Sequence, residues 1–471
     1  MRGIICTTFL QNRNSDEIIM RKNVLYVICS VMRHLILTLV LLLSPSSEVL
    51  AKRVIYDKPG QDLRQLFSRE KAQYVIRYHH QFRNLIILPQ NCELHFDGGS
   101  LEGMIQFNST LLTGNVNLKG SHLSGNVRNK EFRSEWLCYK DGIHDDAENI
   151  NQLIAICGKI HFQKGNYLLK SIHKGPRQQK VLDDWQAVGH IGISKSNVEL
   201  IGKETGVVFI TPTPNVTICI YSPPYQFEKT VRNVKIENIT FRALNDGKEI
   251  LQLKHTIKAM GVNGLIINKC VFDDFWGDAI CLYSYGDMPS TGERTRNSNI
   301  TIINNHIIGG RHRKTRNGVA VVNGVNVRIE RNVIEQTSGE GMPGAIDVEA
   351  NSFAFSIKNI IIKDNIIKNC GGTAGGICIN SSGYKAPAYN VKIKGNHISG
   401  CTSGLAFVVK TDRVTRNFKV VNNVVEADTT PYQFVGDGKS SNWTFINNMF
   451  KKKSSIKIPG MIHVDGLVVR D

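Results

Sequence analysis

Several features that would point to other classes of protein are missing from this chain of 471 residues. Its most apolar stretch, residues 35–43, is nine residues long, whereas a helix that spans a membrane needs about 20. Cysteines never occur in the Cys-X-X-Cys spacing that is typical of zinc and redox sites. Aromatic residues make up only 8% of the chain, and acidic residues are outnumbered by basic ones, 40 against 58. The sequence therefore argues against a stable membrane span and a cysteine-based metal site, and it indicates a basic protein.

The first 51 residues have the pattern of an export signal. A short basic start at 32–34 precedes the apolar core at 35–43, and small residues follow at 49–51. We expect cleavage of a signal peptide near Ala51, with residues 1–31 as an upstream extension. The mature protein is therefore predicted to be secreted or periplasmic.

The charge of the remaining chain favours an acidic partner. Residues 1–51 contain five basic and three acidic side chains, so the mature protein keeps a net charge of about +16. A strongly basic exported protein is suited to an acidic polysaccharide or oligosaccharide, or to another acidic surface. We do not expect nucleic acid as a partner, because export separates the protein from it.

A short phrase recurs along the second half of the chain: apolar, any residue, apolar, any residue, Asn, any residue, apolar. Within each unit apolar residues alternate as in a strand, and no helical run interrupts them. A unit of this length cannot bury its apolar face alone, so successive units must stack. The sequence thus predicts an all-β fold, a single-stranded parallel β-helix over residues 136–450. The last Asn of each copy stands at 305, 332, 365, 396, 423 and 448, at steps of 27, 33, 31, 27 and 25 residues. We expect this column to form a structural ladder at tight turns, where Asn tolerates the left-handed conformation.

One short helix is predicted ahead of the repeats. Residues 150–157 place four apolar side chains at helical spacing, Asp145 suits the N-cap, and Gly158 suits the end of the helix. We expect this N-terminal helix to cap an open end of the coil, where unpaired strand edges would otherwise be exposed. Residues 52–135 before it predict irregular β coils, and residues 451–471 predict a C-terminal tail or cap.

A second strand in each repeat determines which side chains face outward. Its side chains alternate between the interior and the exterior of the coil. In residues 344–349 this alternation puts Asp347 and Glu349 on the outside, with Cα atoms about 6.6 Å apart. The matching positions in adjacent repeats, Ala320 and Cys378, are small and leave room. Two such carboxylates suit general acid and base roles or the binding of Ca²⁺, and both interpretations stay open.

Basic residues ahead of the neighbouring strand form a predicted rim above these carboxylates. Five of the six residues at 311–316 are basic, and arginine is suited to bidentate capture of a sugar carboxylate or sulfate. We expect Arg313 or Arg316 to hold the acid group of a substrate, and His255, Tyr283 or His312 to carry protons. The predicted catalytic residues are Asp347, Glu349, Arg316 and Asp278, and the predicted substrate contacts are Arg311, His312, Arg313, Tyr283 and Asn380.

A motif near the predicted helix points to a known superfamily. Asp-Gly-Ile-His-Asp-Asp-Ala at 141–147, followed by Ile150, Ile154 and Gly-Asn-Tyr at 165–167, resembles the opening motif of the pectin/pectate-lyase-like right-handed β-helix superfamily. That superfamily includes polysaccharide lyases, polygalacturonases, epimerases and phage tailspike depolymerases. The resemblance covers about residues 135–450 and implies a right-handed coil and carbohydrate chemistry. It also implies a homotrimer, since trimers are common among depolymerases of this fold.

The chain departs from the polygalacturonase pattern at its catalytic motif. Gly277-Asp278-Ala279 resembles half of the Gly-Asp-Asp motif, with alanine where the second aspartate belongs, and the Gly-His-Gly and Arg-Ile-Lys motifs are absent. Our leading interpretation is therefore an exported enzyme that cleaves an acidic, uronate-containing polysaccharide by β-elimination. A glycoside hydrolase that uses Asp347 and Glu349 is one alternative. A non-catalytic glycan-binding or structural β-helix is the other.

Overall fold

The computed structural model of the protein describes most of the chain beyond residue 52. The predicted signal peptide and upstream extension lie outside the described residues, apart from Met32. Among the described residues, no helix combines the length and the apolar character needed to cross a bilayer. The described residues are 32, 53–174, 188–222, 230–249, 251–284, 296–310, 314–339, 342–372, 375–381, 386–409, 414–435, 440–451, 462–465 and 468–470.

Each turn of the repeated region adds one strand to each of three parallel stacks. In one turn these strands are Asn297–Ile303, His306–Ile308 and Val319–Val321. Each pairs in parallel with the equivalent strand of the next turn, so that Ile300 lies beside Val327 and Val319 beside Ile346. This arrangement confirms the predicted all-β parallel β-helix.

The first stack, which we call the ladder face, is a sheet of 12 strands. Its strands are Phe132–Arg133, Lys159–Phe162, Glu199–Gly202, Val231–Glu237, Val262–Asn268, Asn297–Ile303, Gly324–Glu330, Ile357–Lys363, Ala388–Lys394, Thr415–Val421, Ser440–Ile446 and Ile462–Asp465.

The other two stacks are joined in a sheet of 19 strands. The cleft face, so called because it carries the pocket described below, contains Ile191–Ile193, Ile218–Tyr221, Ile257–Met260, Ile280–Tyr283, Val319–Val321, Gly344–Glu349 and Gly375–Asn380. The remaining stack contains Asp141–Asp145, Gly165–Leu168, Val207–Thr211, Thr240–Ala243, Val271–Asp273, His306–Ile308, Val333–Glu335, Ile366–Lys368, Met449–Lys451 and Val468–Arg470, and the strands His397–Val408 and Val424–Val435 run through both stacks.

Shorter elements precede and flank these stacks. The helices are Leu63–Leu66, Ala147–Ile156 and the 3-10 turn Ser134–Trp136. A six-stranded sheet contains Val54–Tyr56, Gln73–Ile76, Ile86–Ile87, Glu93–Phe96, Met104–Gly114 and His122–Val127. Two further pairs are His79–Gln81 with Ser100–Glu102, which is parallel, and His173–Lys174 with Val188–Gly189, which is antiparallel.

The core of the coil is filled by columns of apolar side chains. The predicted inward column is in register across five turns, and its members are at most 1% exposed. Burial of each large aliphatic side chain stabilises the fold by about 1.5–3 kcal/mol. The column consists of Ile280, Val319, Ile346, Ile377 and Leu405. In the same strands, the residues between these inward positions face outward.

The predicted asparagine ladder is present, but its backbone conformation differs from the expectation. In each step the side-chain amide of one Asn donates to the Oδ1 of the next, as from Asn332 to Asn365 at 3.0 Å and from Asn365 to Asn396 at 2.9 Å. The left-handed residue of each turn is the preceding one, such as Arg331 or Asp364. The buried Asn is thereby free to point along the stack and to satisfy backbone groups of the turn.

The predicted helix forms over Ala147–Ile156, with one correction at its start. The N-cap residue is Asp146 rather than Asp145, although the Asp145 carboxylate accepts a hydrogen bond from the Ala147 N–H at 3.1 Å. The Asp146 carboxylate instead accepts from two backbone N–H groups in the preceding loop. The helix packs against His122–Val127 and Ile191–Ile193, so strands lie on both sides of it.

Candidate functional site

A pocket of about 480 Å³ lies on the outer side of the cleft face. Its floor comes from three consecutive turns, Ile280–Tyr283, Val319–Val321 and Gly344–Glu349. Small outward side chains at Cys281 and Ala320 leave the space that larger residues would fill. The titratable residues of the lining are His255, Asp278, Cys281, Tyr283, Arg316, Asp347 and Glu349.

Two carboxylates of one strand line this pocket together. Asp347 lies beside Ala320 and Cys378 of the adjacent turns, and Glu349 lies beside Asn380. Both carboxylates line the pocket, although Asp347 is only 6% exposed and Glu349 is half-buried. The strand pairing therefore gives these two residues the shared outward orientation that the alternation predicted.

Asp278 connects two other side chains of the pocket lining, His255 and Arg316. Its Oδ2 lies 3.1 Å from His255 Nδ1, and its Oδ1 lies 3.2 Å from Arg316 Nε. The same Oδ1 accepts a hydrogen bond from the Asn317 N–H at 3.0 Å. Asp278 and His255 are each only 2% exposed. A buried carboxylate with this many donors is held as an anion that fixes both neighbouring side chains.

Burial and charge set the protonation states of His255 and Asp278. Burial lowers the pKa of His255 below its ordinary value, so the ring is neutral at pH 7. Burial alone would raise the pKa of Asp278, but His255, Arg316 and the Asn317 N–H together hold it below its usual range. The lining therefore combines a neutral imidazole with a compensated carboxylate.

Two groups of Asp278 lie against His255 Nδ1. The backbone N–H of Asp278, which can only donate, is 3.2 Å away, and its Oδ2, which can only accept, is 3.1 Å away. The other ring nitrogen, Nε2, is buried and has no hydrogen-bond partner in the described part of the chain. In the tautomer whose proton lies on Nδ1, beside Oδ2, the neutral ring keeps a lone pair on Nε2.

Tyr283 lies beside this histidine on the same face. The two ring centroids are 6.2 Å apart. The ammonium group of Lys258 lies 4.6 Å from the centroid of the Tyr283 ring. Lys258 is buried, and burial lowers its pKa. A cation against the face of a tyrosine ring holds that ring in position.

The other predicted contacts lie away from this constellation or outside the described residues. Arg311, His312 and Arg313 lie outside the described residues. Asn380 is one turn beyond Glu349 and does not line the pocket. Lys314 also lies outside the lining and donates to the backbone oxygen of Lys248 at 3.1 Å. Of the predicted basic rim, Arg316 is the member that the structure brings into the pocket.

Part of the lining carried no recognisable sequence signal. Gln252 and Leu253 reach the pocket from the segment ahead of Ile257–Met260, and Met342 and Pro343 reach it from the turn before Gly344–Glu349. These segments lie outside the strand repeat, so alternation says nothing about their direction. Asn351 also lines the pocket, and strand alternation could have predicted it, because position 351 is the next outward position after 347 and 349.

Two sets of side chains in the pocket have donor atoms suited to metals. His255, Asp278 and Cys281 offer nitrogen, oxygen and sulfur atoms within 4.8 Å of one another. The Arg316 guanidinium already compensates the charge of Asp278 there, and it would repel a second cation. Asp347, Glu349 and Asn351 offer the oxygen ligands that Ca²⁺ prefers.

Comparisons with known proteins give one family match over part of the chain and several distant structural similarities. A profile of the right-handed β-helix region matches residues 295–461. A search of curated protein sequences returned no match. Similar solved structures include a surface adhesin of Streptococcus pneumoniae, with 15% identity over 72% of this chain and 89% of that chain and a TM-score of 0.47.

Two enzymes of polysaccharide breakdown are also similar in structure. One is a capsular polysaccharide depolymerase, a tailspike of an Acinetobacter baumannii bacteriophage, with 11% identity over 73% of this chain and 63% of that chain and a TM-score of 0.44. The other is a mannuronic acid specific family 6 lyase from human gut microbiota, with 11% identity over 89% and 82% and a TM-score of 0.32. At identities and TM-scores this low, these similarities carry no activity over to this chain. The stacked parallel turns are those of a parallel β-helix, and within them residues 295–461 match the right-handed β-helix region.

Proposed function

We propose that the chain is an exported enzyme that cleaves an acidic polysaccharide in the pocket by β-elimination. The main support is His255, whose buried Nε2 has no hydrogen-bond partner within the described residues and whose ring lines the pocket with Tyr283 and Arg316. Elimination from a uronate needs a cation for the sugar carboxylate, a neutral base and a proton donor. These three residues supply one group of each kind.

Arg316 is the group that binds the sugar carboxylate. Its Nε contacts Asp278, while its terminal nitrogens make no hydrogen bond within the described part of the chain. Two parallel N–H groups match the two oxygens of a carboxylate. Neutralising that carboxylate lowers the cost of removing the proton from the adjacent carbon, because negative charge develops there.

His255 is the base and Asp278 its positioning residue. His255 Nε2 takes the proton from the carbon next to the sugar carboxylate, and Asp278 Oδ2, 3.1 Å from Nδ1, stabilises the imidazolium that forms. The electron pair of the broken C–H bond becomes the new C=C bond. The bond to the glycosidic oxygen breaks, and the Tyr283 hydroxyl donates a proton to that oxygen. Proton exchange with solvent then removes the extra proton from His255 and returns a proton to the Tyr283 hydroxyl.

Asp347 and Glu349 line the same pocket, and negative charge on them would oppose the binding of a uronate. With Asn351 they fit a Ca²⁺ site of oxygen ligands. A calcium ion there would neutralise the two carboxylates and so remove their repulsion of the polyanion. Removal of calcium by a chelator should then weaken substrate binding, which is seen as a rise in KM.

The experiment that tests this proposal is a substrate panel. The mature protein is incubated with uronate polymers of different linkage, and the ultraviolet absorbance of unsaturated products is followed beside the number of new reducing ends. Elimination produces both signals. His255→Gln should abolish both, whereas His397→Gln, a matched change at an exposed histidine outside the pocket lining, should leave them intact. Cleavage that survives in His255→Gln would overturn the assignment of the base.

A glycoside hydrolase is the second candidate, and the carboxylate pair favours it. One of these two carboxylates is buried and the other half-buried, and such unequal surroundings separate the acid and base roles in glycosidases. New reducing ends without unsaturated products, lost in Glu349→Gln, would favour hydrolysis. Binding without either signal would favour a non-catalytic glycan-binding or structural role.

The proposal of export rests on the sequence at 32–51. Expression in a Gram-negative host, followed by fractionation and N-terminal sequencing, tests it. We expect a mature protein outside the cytoplasm that begins at Lys52. A cytoplasmic protein that keeps residues 32–51 would contradict the proposal.

A further inference from the structure

A second surface of the coil carries an excess of positive charge. On the ladder face, three consecutive strands, Ile357–Lys363, Ala388–Lys394 and Thr415–Val421, turn two cations each toward solvent and no acidic side chain. The strands are in register, so these cations form a grid, which we call the basic grid. It consists of Lys358, Lys363, Lys392, Lys394, Arg416 and Lys419.

The grid differs from the rest of the same face. Earlier strands carry acidic partners for some of their cations: Lys235 pairs with Glu237 at 2.8 Å, and Arg328 pairs with Glu330 at 3.0 Å. In the grid, Lys363 alone has an ion pair among the described residues, with Asp364 at 3.0 Å. Five cations thus remain uncompensated in the described part of the chain.

The backbone beneath the grid is rigid. A second asparagine ladder, exposed and in the left-handed conformation, runs through it: Asn390 donates to Asn359 at 2.9 Å, and Asn417 donates to Asn390 at 2.7 Å. Adjacent turns lie about 4.8 Å apart and outward residues of one strand about 6.6 Å apart. The backbone positions of the grid are therefore fixed by the stack, and cations lie on adjacent turns where they pair, as Lys363 does with Lys394 and Lys392 with Lys419.

We propose that the basic grid is a binding surface for an acidic polysaccharide, separate from the pocket. A linear polymer with repeated carboxylate or sulfate groups matches a flat, periodic array of cations, and each neutralised charge adds to the affinity by releasing counterions. Tyr389 is the one aromatic residue that these three strands expose, since Phe418 is buried in the core, whereas single-stranded nucleic acid is usually bound on several stacked aromatics. The polysaccharide therefore fits this surface better than a nucleic acid.

This inference does not depend on the proposed catalysis, because the grid and the pocket belong to different stacks of strands. If the pocket is catalytic, the grid would hold the protein on the polymer during cleavage. If the pocket is inactive, binding of the polymer at the grid would be the function of the protein. His255→Gln should leave binding at the grid unchanged, so failure of one proposal is distinguishable from failure of the other.

The test measures binding of the full mature chain to dextran sulfate and to polygalacturonate, with uncharged dextran as the reference. The triple variant Lys358→Gln, Lys392→Gln and Lys419→Gln removes half of the grid. Its matched control, Lys58→Gln, Lys170→Gln and Lys203→Gln, removes the same charge from exposed positions elsewhere. We expect the grid variant to lose at least about tenfold in affinity and to show a shallower salt dependence. The control should stay within about twofold.

Three results would overturn the inference. Equal losses in the two triple variants, with unchanged thermal unfolding, would mean that net charge alone attracts the polymer. Binding to both acidic polymers no tighter than to uncharged dextran would remove the surface altogether. Tighter binding of a single-stranded oligonucleotide than of either acidic polymer at equal salt would show that the partner class is wrong.

Discussion

At the residue scale, the pocket depends on Asp278, which connects His255 to Arg316. The sequence allowed part of this to be anticipated. Alternation along the strands was enough to turn Asp347 and Glu349 outward, because their direction is set by a period of two. The pairing of Asp278 with His255 joins a turn to a segment 23 residues earlier, and strand periodicity does not specify such contacts between connecting segments.

The role of His255 predicts a particular pH dependence. A base must be unprotonated to act, and burial holds the pKa of His255 below its ordinary value of about 6.5. We therefore expect kcat/KM to rise with pH through a midpoint below 6.5 and to be level at pH 7. A pH series on the most active polymer measures this. A midpoint above 6.5 would contradict a buried neutral base.

Asp278 should also stabilise the fold in a pH-dependent way. Its pKa in the folded state is lowered, so its contribution is present above the unfolded value of about 3.9 and is lost as the pH falls through the folded value. Asp278→Asn should lower the free energy of unfolding by about 3 kcal/mol at pH 7, because it removes the buried charge that pairs with Arg316. The difference from the unmodified protein should shrink below pH 4.

Urea unfolding at several pH values checks this prediction. The matched control is Asp364→Asn, at an exposed residue that pairs with Lys363. Exposed pairs of this kind contribute at most about 1 kcal/mol. A loss as large in the control as in Asp278→Asn would contradict the structural role given to Asp278.

At the element scale, the stacked turns are stabilised by two asparagine ladders that share one period. The buried ladder was predicted from the Asn phrase, whereas the exposed ladder was missed. Its residues at 299, 326, 359, 390, 417 and 442 repeat at the same steps of 27, 33, 31, 27 and 25. The repeated spacing of these Asn residues was present in the sequence. It was missed because polar residues are common at exposed strand positions, and only a comparison with the spacing of the buried ladder distinguishes them.

The two ladders should differ in their contribution to stability. Asn365 accepts from Asn332 and donates to Ile329 O at 2.8 Å and to Asn396 at 2.9 Å, all in a buried setting. Asn365→Ala leaves buried groups unsatisfied and should cost roughly 3 kcal/mol. Asn359→Ala, in the exposed ladder with φ 56°, should cost only about 1 kcal/mol, for the left-handed alanine. Urea unfolding of both variants measures the contrast, and equal losses would contradict it.

At the scale of the whole molecule, most of the fold could be predicted from the sequence, whereas only part of the candidate site could. A repeated unit imposes the same register on every turn, so one phrase is enough to predict the stack and its inward columns. The lining that comes from residues 252–253 and 342–343 belongs to connecting segments of unequal length, which no period constrains. The basic grid was likewise hidden, because cations on its adjacent strands lie 22 to 36 residues apart in the chain and come together only through strand pairing, as Lys392 does with Lys419.

The most direct test of the central claim is a crystal structure of His255→Gln with an acidic oligosaccharide bound. We predict a sugar in the pocket whose carboxylate contacts the terminal nitrogens of Arg316. The carbon next to that carboxylate should face the side chain at position 255. An oligosaccharide bound outside the pocket at saturating concentration, or a carboxylate turned away from Arg316, would contradict it.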